Sequence, residues 1–134
     1  MTRTTGTFPT THSVVNVVVP VTDVERGRRW YREILELPAG DVQFGHLCHI
    51  PLSGGTGILL DQKLLPGGKH VGRSLRKGAY PLFMLSTDDI DASLALLRGR
   101  GVEIMEYDGQ AVQNGHWFNF RDCEGNLLMM CGPN

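Results

Sequence analysis

The sequence predicts an α+β fold in which one strand–helix unit occurs twice. Residues 15–19 form an alternating run of β-branched side chains, and a helical stretch follows Asp23. Residues 82–86 form a second apolar run, and another helical stretch follows Asp89. Asp23 and Asp89 lie 66 residues apart, and with this offset the two units align in sequence without a gap. Self-similarity at this period indicates two copies of one supersecondary unit that pack on each other.

The first strand is predicted to end at Pro20, because proline cannot donate to a strand ladder. Thr22 stands three residues before Glu25, which is the spacing of a helix-capping box. The helix that follows places its apolar side chains on one stripe, which consists of Val24, Tyr31, Ile34 and Leu35.

The chain after the first helix is predicted to complete a β-α-β-β unit. Residues 37–41 contain proline and glycine and turn the chain, and residues 42–52 form an extended segment. The glycine-rich residues 53–57 are typical of a hairpin loop, and residues 58–61 form the returning strand. One more short strand is expected around Val42.

Residues 62–80 differ in composition from both units. Glycines punctuate this segment, and its basic side chains are Lys63, Lys69, Arg73, Arg76 and Lys77. Two interpretations stay open. The segment is either a linker between the units or a lid that meets an anionic group, because long loops in compact domains are often functional.

The second unit repeats the order of the first. Its helix is predicted to stop at Gly101, a C-terminal glycine signal. Short strands at 102–105, 116–121 and 127–131 follow, separated by turns at Asp108–Gly109 and 122–126. We predict a flexible arm at 1–11 and one domain at 12–134, with module one at about 12–61, a connecting loop at about 62–80 and module two at about 81–134.

Composition and charge exclude several classes of function. The formal net charge is −1, which gives no electrostatic basis for a nucleic-acid partner. No apolar run reaches the ~20 residues of a membrane span, and no signal-peptide core is present, so no membrane partner is expected. The cysteines, Cys48, Cys123 and Cys131, lack metal-binding spacing and are expected to be reduced thiols of a cytoplasmic protein.

Two motifs stand at opposite ends of the repeat. The first is V-T-D-V-E-R at 21–26 followed by W-Y-R-E-I-L at 30–35, and the second is F-N-F-R-D-C-E-G-N-L at 118–127. They resemble the opening and closing motifs of the vicinal oxygen chelate superfamily, which includes glyoxalases, extradiol dioxygenases and the fosfomycin- and bleomycin-resistance proteins. The resemblance implies two βαβββ modules in one chain, curled mixed sheets around a cleft, helices outside, and a homodimer.

The resemblance also places the family's metal ligands on four positions of this chain, Asn16, Leu59, Leu82 and Met129. Leucine and a methionine thioether are not ligands for hard or borderline cations, and a lone asparagine oxygen does not replace carboxylate charge. We therefore predict neither a metal nor any other cofactor in this cleft.

Alternation along the strands predicts what lines the cleft instead. The predicted ligand-binding residues are Asn16, Val18, Leu59, Leu82, Met84, Trp117, Asn119, Met129 and Cys131. For the strand before the last turn, the other face would offer His116 and Phe118, but the family's Phe pair usually packs under the helix. An apolar, methionine-lined cleft with one aromatic wall is typical of small-molecule pockets.

Blander interpretations of the same residues stay open. Leu59, Leu82 and Met129 could close the cleft into a second core. Trp117 could lie in the core or in a dimer interface, and Asn16 could merely hydrogen-bond a neighbouring strand.

His49 and His116 are the candidates for a catalytic acid or base, since imidazole titrates near neutral pH. The spacing of the sequence places no carboxylate beside either of them. A metal site built from His46, Cys48 and His49 would need further ligands that the pattern does not supply.

Three hypotheses for the function follow. The first is a metal-free protein that sequesters a small apolar or aromatic molecule, such as an antibiotic, as the drug-binding branch of the family does. The second is a metal-independent isomerase, lyase or cyclase that orients a substrate in the same cleft. The third is a metal-dependent lyase or dioxygenase with displaced ligands drawn from His46, Cys48, His49 and His116.

Overall fold

Within the described residues, three strands and one helix form each half of the chain. The computed structural model describes residues 6–63, 78 and 80–133. In chain order the elements are β1 (Asn16–Pro20), α1 (Val24–Glu33), β2 (Leu47–Ile50), β3 (Gly57–Asp61), β4 (Met84–Ser86), α2 (Ile90–Gly99), β5 (Trp117–Arg121) and β6 (Leu127–Cys131). The predicted α+β class with two modules is confirmed.

Each module contains one mixed sheet, with strand order β1-β3-β2 in the first and β4-β6-β5 in the second. The first strand of each module lies parallel to the last, and the middle strand lies antiparallel to it. A parallel pair needs a crossover, which α1 and α2 supply. Neither three-stranded sheet closes into a barrel.

A βαβββ module has four strands, one more than each sheet described here. Only isolated contacts take the place of the fourth. In the second module Ile104 forms a single bridge with Phe120. In the first, the backbone N–H of Gly40 donates to the carbonyl oxygen of His49. The short strand predicted around Val42 is therefore absent from the described residues as a named strand.

Both helices begin at an aspartate. Oδ1 of Asp23 accepts a hydrogen bond from the backbone N–H of Arg26 at 3.1 Å, and Oδ1 of Asp89 accepts from that of Ala92 at 3.0 Å. The predicted capping box at Thr22 is wrong, because the carboxylate one residue later satisfies the first turn. Thr22 instead donates its hydroxyl hydrogen bond to Glu124 in the other module.

One core extends across both modules. Its fully buried side chains come from alternate positions of the strands and from the inner face of α1, and they include Val19, Tyr31, Ile58, Leu60, Phe118, Phe120 and Leu128. The prediction that the Phe pair faces the core is confirmed. Gly27 allows the close approach of α1, since a Cβ there would lie 3.2 Å from Cδ1 of Leu60.

The structure describes the predicted N-terminal arm and the predicted connecting loop only in part. Residues 6–15 are exposed and form no strand. The predicted loop at 62–80 lies outside the described residues except for 62, 63, 78 and 80. Within the part of the chain that is described, no helix has the length and apolar character of a membrane span.

Candidate functional site

The predicted ligand-binding residues share the face of each sheet that points away from the core, which we call the outer face. Along β1 the exposed Val18 precedes the fully buried Val19, and along β3 the half-buried Leu59 lies between fully buried neighbours. Because strand side chains alternate, burial on one side assigns the other side to the outer face. The outer face carries Asn16, Val18 and Leu59 in the first module and Leu82, Met84, Trp117, Asn119, Met129 and Cys131 in the second.

The two outer faces have equivalent strand registers. Leu59 lies between Val18 and His49 on the neighbouring strands. Met129 occupies the corresponding place between Met84 and Asn119. The family's ligand positions therefore fall on equivalent points of the two sheets, and apolar side chains occupy the central one in each.

These residues do not fit a divalent metal. The donors at the four family positions are one amide oxygen and one thioether, which lack the charge and hardness that such ions require. In the described portion of the chain, no group of three or more histidine, cysteine, aspartate or glutamate side chains is placed to hold a metal. What the side chains at these four positions offer is apolar packing and, at Asn16, hydrogen bonding.

Two polar side chains of the first module converge over a glycine. Oδ1 of Asn16 is buried and has no hydrogen-bond partner among the residues described. A Cβ at Gly57 would lie 2.5 Å from that oxygen and 2.6 Å from Nε2 of His49. His49 is itself exposed, so its imidazole forms the solvent side of this arrangement.

The second module carries an aromatic corner, which we define as Tyr107, Trp117 and Asn119. The rings of Tyr107 and Trp117 have centroids 6.3 Å apart and planes inclined at 55°. Nδ2 of Asn119 donates to the hydroxyl of Tyr107 at 3.0 Å. Asn119 is only 5% exposed, and its Oδ1 has no partner within the described part of the chain.

Tyr107 is a site residue that the sequence analysis missed. It reaches Trp117 because Asp108 and Gly109, both with positive φ, form a two-residue hairpin in which Tyr107 and Gln110 exchange backbone hydrogen bonds. The predicted turn at Asp108–Gly109 is confirmed. Such a dipeptide implies that its flanking residues pair, which is the signal that could have drawn attention to Tyr107.

The histidine and cysteine candidates do not assemble. His116 lies exposed beside the start of β5, whereas His49 lies on β2. The described hydrogen bonds give neither imidazole a carboxylate partner. Cys48 and His49 are adjacent on one strand and point to opposite faces, and burial raises the pKa of the Cys48 thiol. Nδ1 of His46 lies 2.9 Å from the carbonyl oxygen of Phe44.

A separate open cleft of about 500 Å³ lies between the β2–β3 hairpin and β4. Its lining includes Pro51, Leu52, Thr56, Met84 and Ser86. Of the predicted ligand-binding residues, Met84 is the one that lines it. The remaining predicted residues lie on the outer faces and do not line this cleft.

Comparisons with known proteins agree with this architecture. The sequence profile of the Glyoxalase/Bleomycin resistance protein/Dioxygenase superfamily matches residues 13–130. A search of curated proteins found no match.

Solved structures share the fold. TnmS3, an antibiotic binding protein from Streptomyces sp. CB03234, is 24% identical, with 96% of this chain and 100% of that chain covered and a TM-score of 0.70. UcmS2 is 20% identical, with 92% and 100% covered and a TM-score of 0.75. Lactoylglutathione lyase from Agrobacterium tumefaciens is 17% identical, with 93% and 96% covered and a TM-score of 0.65.

At these identities the structural likeness shows the fold and carries no activity from one chain to another. The profile match, in contrast, spans nearly all of the two modules. The chain therefore belongs to the glyoxalase/bleomycin resistance protein/dioxygenase superfamily.

Proposed function

We propose that this chain is a metal-free protein that binds a small apolar or aromatic molecule. The observation that carries the proposal is the replacement of three family ligand positions by Leu59, Leu82 and Met129 on the outer faces. Such side chains retain apolar ligands by excluding water and cannot polarise a substrate. The structural likeness to an antibiotic binding protein supports an antibiotic as the ligand.

The aromatic corner supports an aromatic ligand in particular. Trp117 and Tyr107 offer ring faces and edges, and aromatic pairs contribute about 0.5–1.5 kcal/mol beyond simple burial. Met84 and Met129 are neighbours across β4 and β6, and thioether side chains adapt to irregular apolar shapes. The hydrogen bond from Asn119 to the hydroxyl of Tyr107 holds the Tyr107 ring of the aromatic corner in place.

A homodimer is part of this proposal. Val18, Leu82 and Met84 are 47%, 46% and 67% exposed, although all three are apolar and lie on the outer faces. Large apolar side chains left exposed on a sheet face mark a candidate interaction surface. We infer that a second copy covers the outer faces and encloses the ligand. The free cysteines of the described chain fit the reducing cytoplasm as its location.

A metal-independent isomerase, lyase or cyclase is the second candidate function. One observation favours it: Nε2 of His49 and Oδ1 of Asn16 both lie beside Gly57. An imidazole there could exchange a proton with a bound substrate. Turnover of a bound compound that is lost in His49→Ala and kept in His116→Ala would support this candidate. The displaced-ligand metal enzyme has no corresponding observation in its favour.

Fluorescence quenching tests the binding function. The protein has two tryptophans, and Trp30 packs edge-on against Tyr31 with ring centroids 5.0 Å apart. The Trp30→Phe variant therefore reports on Trp117 alone. We expect saturable quenching by some members of a panel of neutral aromatic compounds of two to four rings, with the same affinity in the presence of EDTA.

The matched Trp117→Phe variant keeps Trp30 as its fluorophore. It should show no quenching, and its affinity by calorimetry should fall about tenfold. If no compound in the panel quenches Trp117 or raises the melting temperature, the binding function is wrong. Binding that EDTA abolishes and a divalent metal restores would also overturn the metal-free proposal.

A further inference from the structure

We propose that Asn16, His49 and Gly57 form a hydroxyl-binding site on the outer face of the first sheet. The ligand that this site selects is a phenol, that is, an aromatic molecule with a free hydroxyl group. The inference rests on the proposed binding function and makes it more specific, because it names the polar group by which the ligand is recognised.

The first step is the unsatisfied oxygen of Asn16. Its Oδ1 is buried and accepts no hydrogen bond from any described residue. Buried polar atoms in native proteins nearly always have a partner, so an orphaned acceptor points to a donor that comes from outside the chain. The free protein keeps this oxygen at an energetic cost that a ligand donor would remove.

The second step is the imidazole beside it. The position that a Cβ of Gly57 would occupy lies 2.5 Å from Oδ1 of Asn16 and 2.6 Å from Nε2 of His49. The two polar atoms therefore lie no more than about 5 Å apart, a separation that one hydroxyl oxygen can bridge with a hydrogen bond to each. Because His49 is exposed, its ring can turn to admit such a group.

The third step is the glycine. Gly57 opens β3 beside Asn16, and the equivalent place in the second sheet is Leu127, whose carbonyl oxygen accepts from the N–H of Leu82. The fold therefore accepts a large side chain at this register. Gly57 is also not among the glycines with positive φ, so its backbone does not demand glycine. What glycine provides is room for the side chains of Asn16 and His49 to approach each other, since a Cβ would meet both polar atoms at under 3 Å.

The fourth step is the match of donors and acceptors. A hydroxyl group donates to Oδ1 of Asn16 and accepts from the N–H of His49 in its Nε2–H tautomer. An ether or ketone oxygen would satisfy His49 and leave Asn16 unpaired. Val18 and Leu59 lie on the same face beside these groups, so the body that carries the hydroxyl is apolar. An apolar alcohol combines both properties, and for the aromatic ligand proposed above that alcohol is a phenol.

NMR titration with two small probes tests the site. Wild-type protein labelled with 15N is titrated with 1-naphthol and with 1-methoxynaphthalene, which differ in the ability to donate a hydrogen bond. We expect 1-naphthol to bind up to about tenfold more tightly, because only the hydroxyl donates to the buried Oδ1 of Asn16, which the methyl ether leaves unpaired. The side-chain amide signals of Asn16 should shift with 1-naphthol and much less with the methyl ether.

Substitutions locate the effect. Asn16→Leu and Gly57→Ala should each reduce the preference for 1-naphthol to within about twofold, whereas His49→Phe should weaken both probes several-fold, since both accept from His49. Gly54→Ala is the matched control, because a Cβ at Gly54 meets no atom within 4 Å. It should keep the full preference. Dispersed amide spectra show which variants are folded, and three independent substitutions keep the test valid if one fails to fold.

The outcomes separate this inference from the function on which it rests. If wild type binds both probes with equal affinity, the hydroxyl site is wrong and the binding function stands. If the preference survives Asn16→Leu and Gly57→Ala, the hydroxyl is recognised elsewhere and the site is wrong. If neither probe nor the wider aromatic panel binds, the proposed function fails and this inference fails with it.

Discussion

The hydroxyl of Tyr31 donates a hydrogen bond to Oδ2 of Asp122 at 2.6 Å, in the buried space between the two modules. Asp122 opens the turn between β5 and β6, and its Oδ1 accepts from the backbone N–H groups of Glu124 and Asn126. Burial first, and then the charge of Asp122, raise the pKa of Tyr31 well above its usual value. One carboxylate thus shapes the turn and ties it to α1.

Replacement of Tyr31 by phenylalanine should destabilise the protein by about 1–3 kcal/mol, because Asp122 keeps its buried charge and loses a donor. The measurement is urea unfolding followed by circular dichroism. Tyr80→Phe is the control, since Tyr80 is 84% exposed, and it should change the free energy of unfolding by less than about 0.5 kcal/mol. Equal effects of the two substitutions would contradict the structural role of Tyr31.

The stability of the contact between the two modules depends on pH through Glu124. Its carboxylate accepts from the backbone N–H of Thr22 at 2.9 Å and from the hydroxyl at 2.8 Å, and it pairs with Arg26. Burial raises its pKa, but the hydrogen bonds from Thr22 and Arg26 together outweigh that effect and lower the pKa below 4.5. Since the folded pKa is the lower one, this stabilisation is present above pH 4.5 and is lost as the pH falls through the folded value.

Glu124→Gln should therefore destabilise the protein by about 1–2 kcal/mol at pH 7, with a smaller difference from wild type below pH 4. Glu106→Gln is the control, because Glu106 pairs with Arg98 on the surface, where such pairs contribute about 0–1 kcal/mol. Unfolding curves at a series of pH values give both numbers. A difference that is constant from pH 3 to pH 7 would rule out the ionised Glu124 as its source.

Local patterns predicted the repeat and the alternation of faces because each depends on residues that are close in sequence. Asp23 and Asp89 begin equivalent helices, and Phe118 and Phe120 face the core, as their spacing indicates. The capping box at Thr22 failed for a longer-range reason. The side chain of Thr22 bonds Glu124, which is 102 residues away and invisible to a local motif.

The polar details of the site could not be predicted, because they depend on register between strands. Nothing in the spacing of Asn16, His49 and Gly57 shows that β3 lies between β1 and β2 and brings the three together. The pairing of Tyr107 with Asn119 likewise depends on the path of the chain after α2. Residue types alone predicted an apolar cleft, and the structure adds hydrogen-bonding groups on the same outer faces.

Gly27 tests how closely α1 packs on its sheet. Alanine in a helix interior is normally favoured over glycine by about 1 kcal/mol. At Gly27 the new Cβ would lie 3.2 Å from Cδ1 of Leu60 and 3.4 Å from Cγ1 of Val21, and both neighbours are buried. We expect Gly27→Ala to lower the melting temperature by several degrees, corresponding to about 1 kcal/mol or more.

The matched control is Gly99→Ala in α2, where a Cβ meets no atom within 4 Å. This variant should leave the melting temperature unchanged or raise it. If both substitutions raise the melting temperature, the side chains beside Gly27 can rearrange to admit a methyl group, contrary to the close packing described here.

The outer face of β4 tests the dimer. Light scattering should give wild type twice the monomer mass of 14.8 kDa. Met84→Glu should shift the protein to monomer, because an unpaired carboxylate enclosed in an apolar interface costs several kcal/mol of association free energy. Leu96→Glu is the control, since Leu96 is 53% exposed on α2 and does not belong to the outer face. A monomeric wild type, or dissociation by both variants, would contradict the assignment. A monomeric Met84→Glu protein that still binds aromatic compounds would show that one chain suffices for the site.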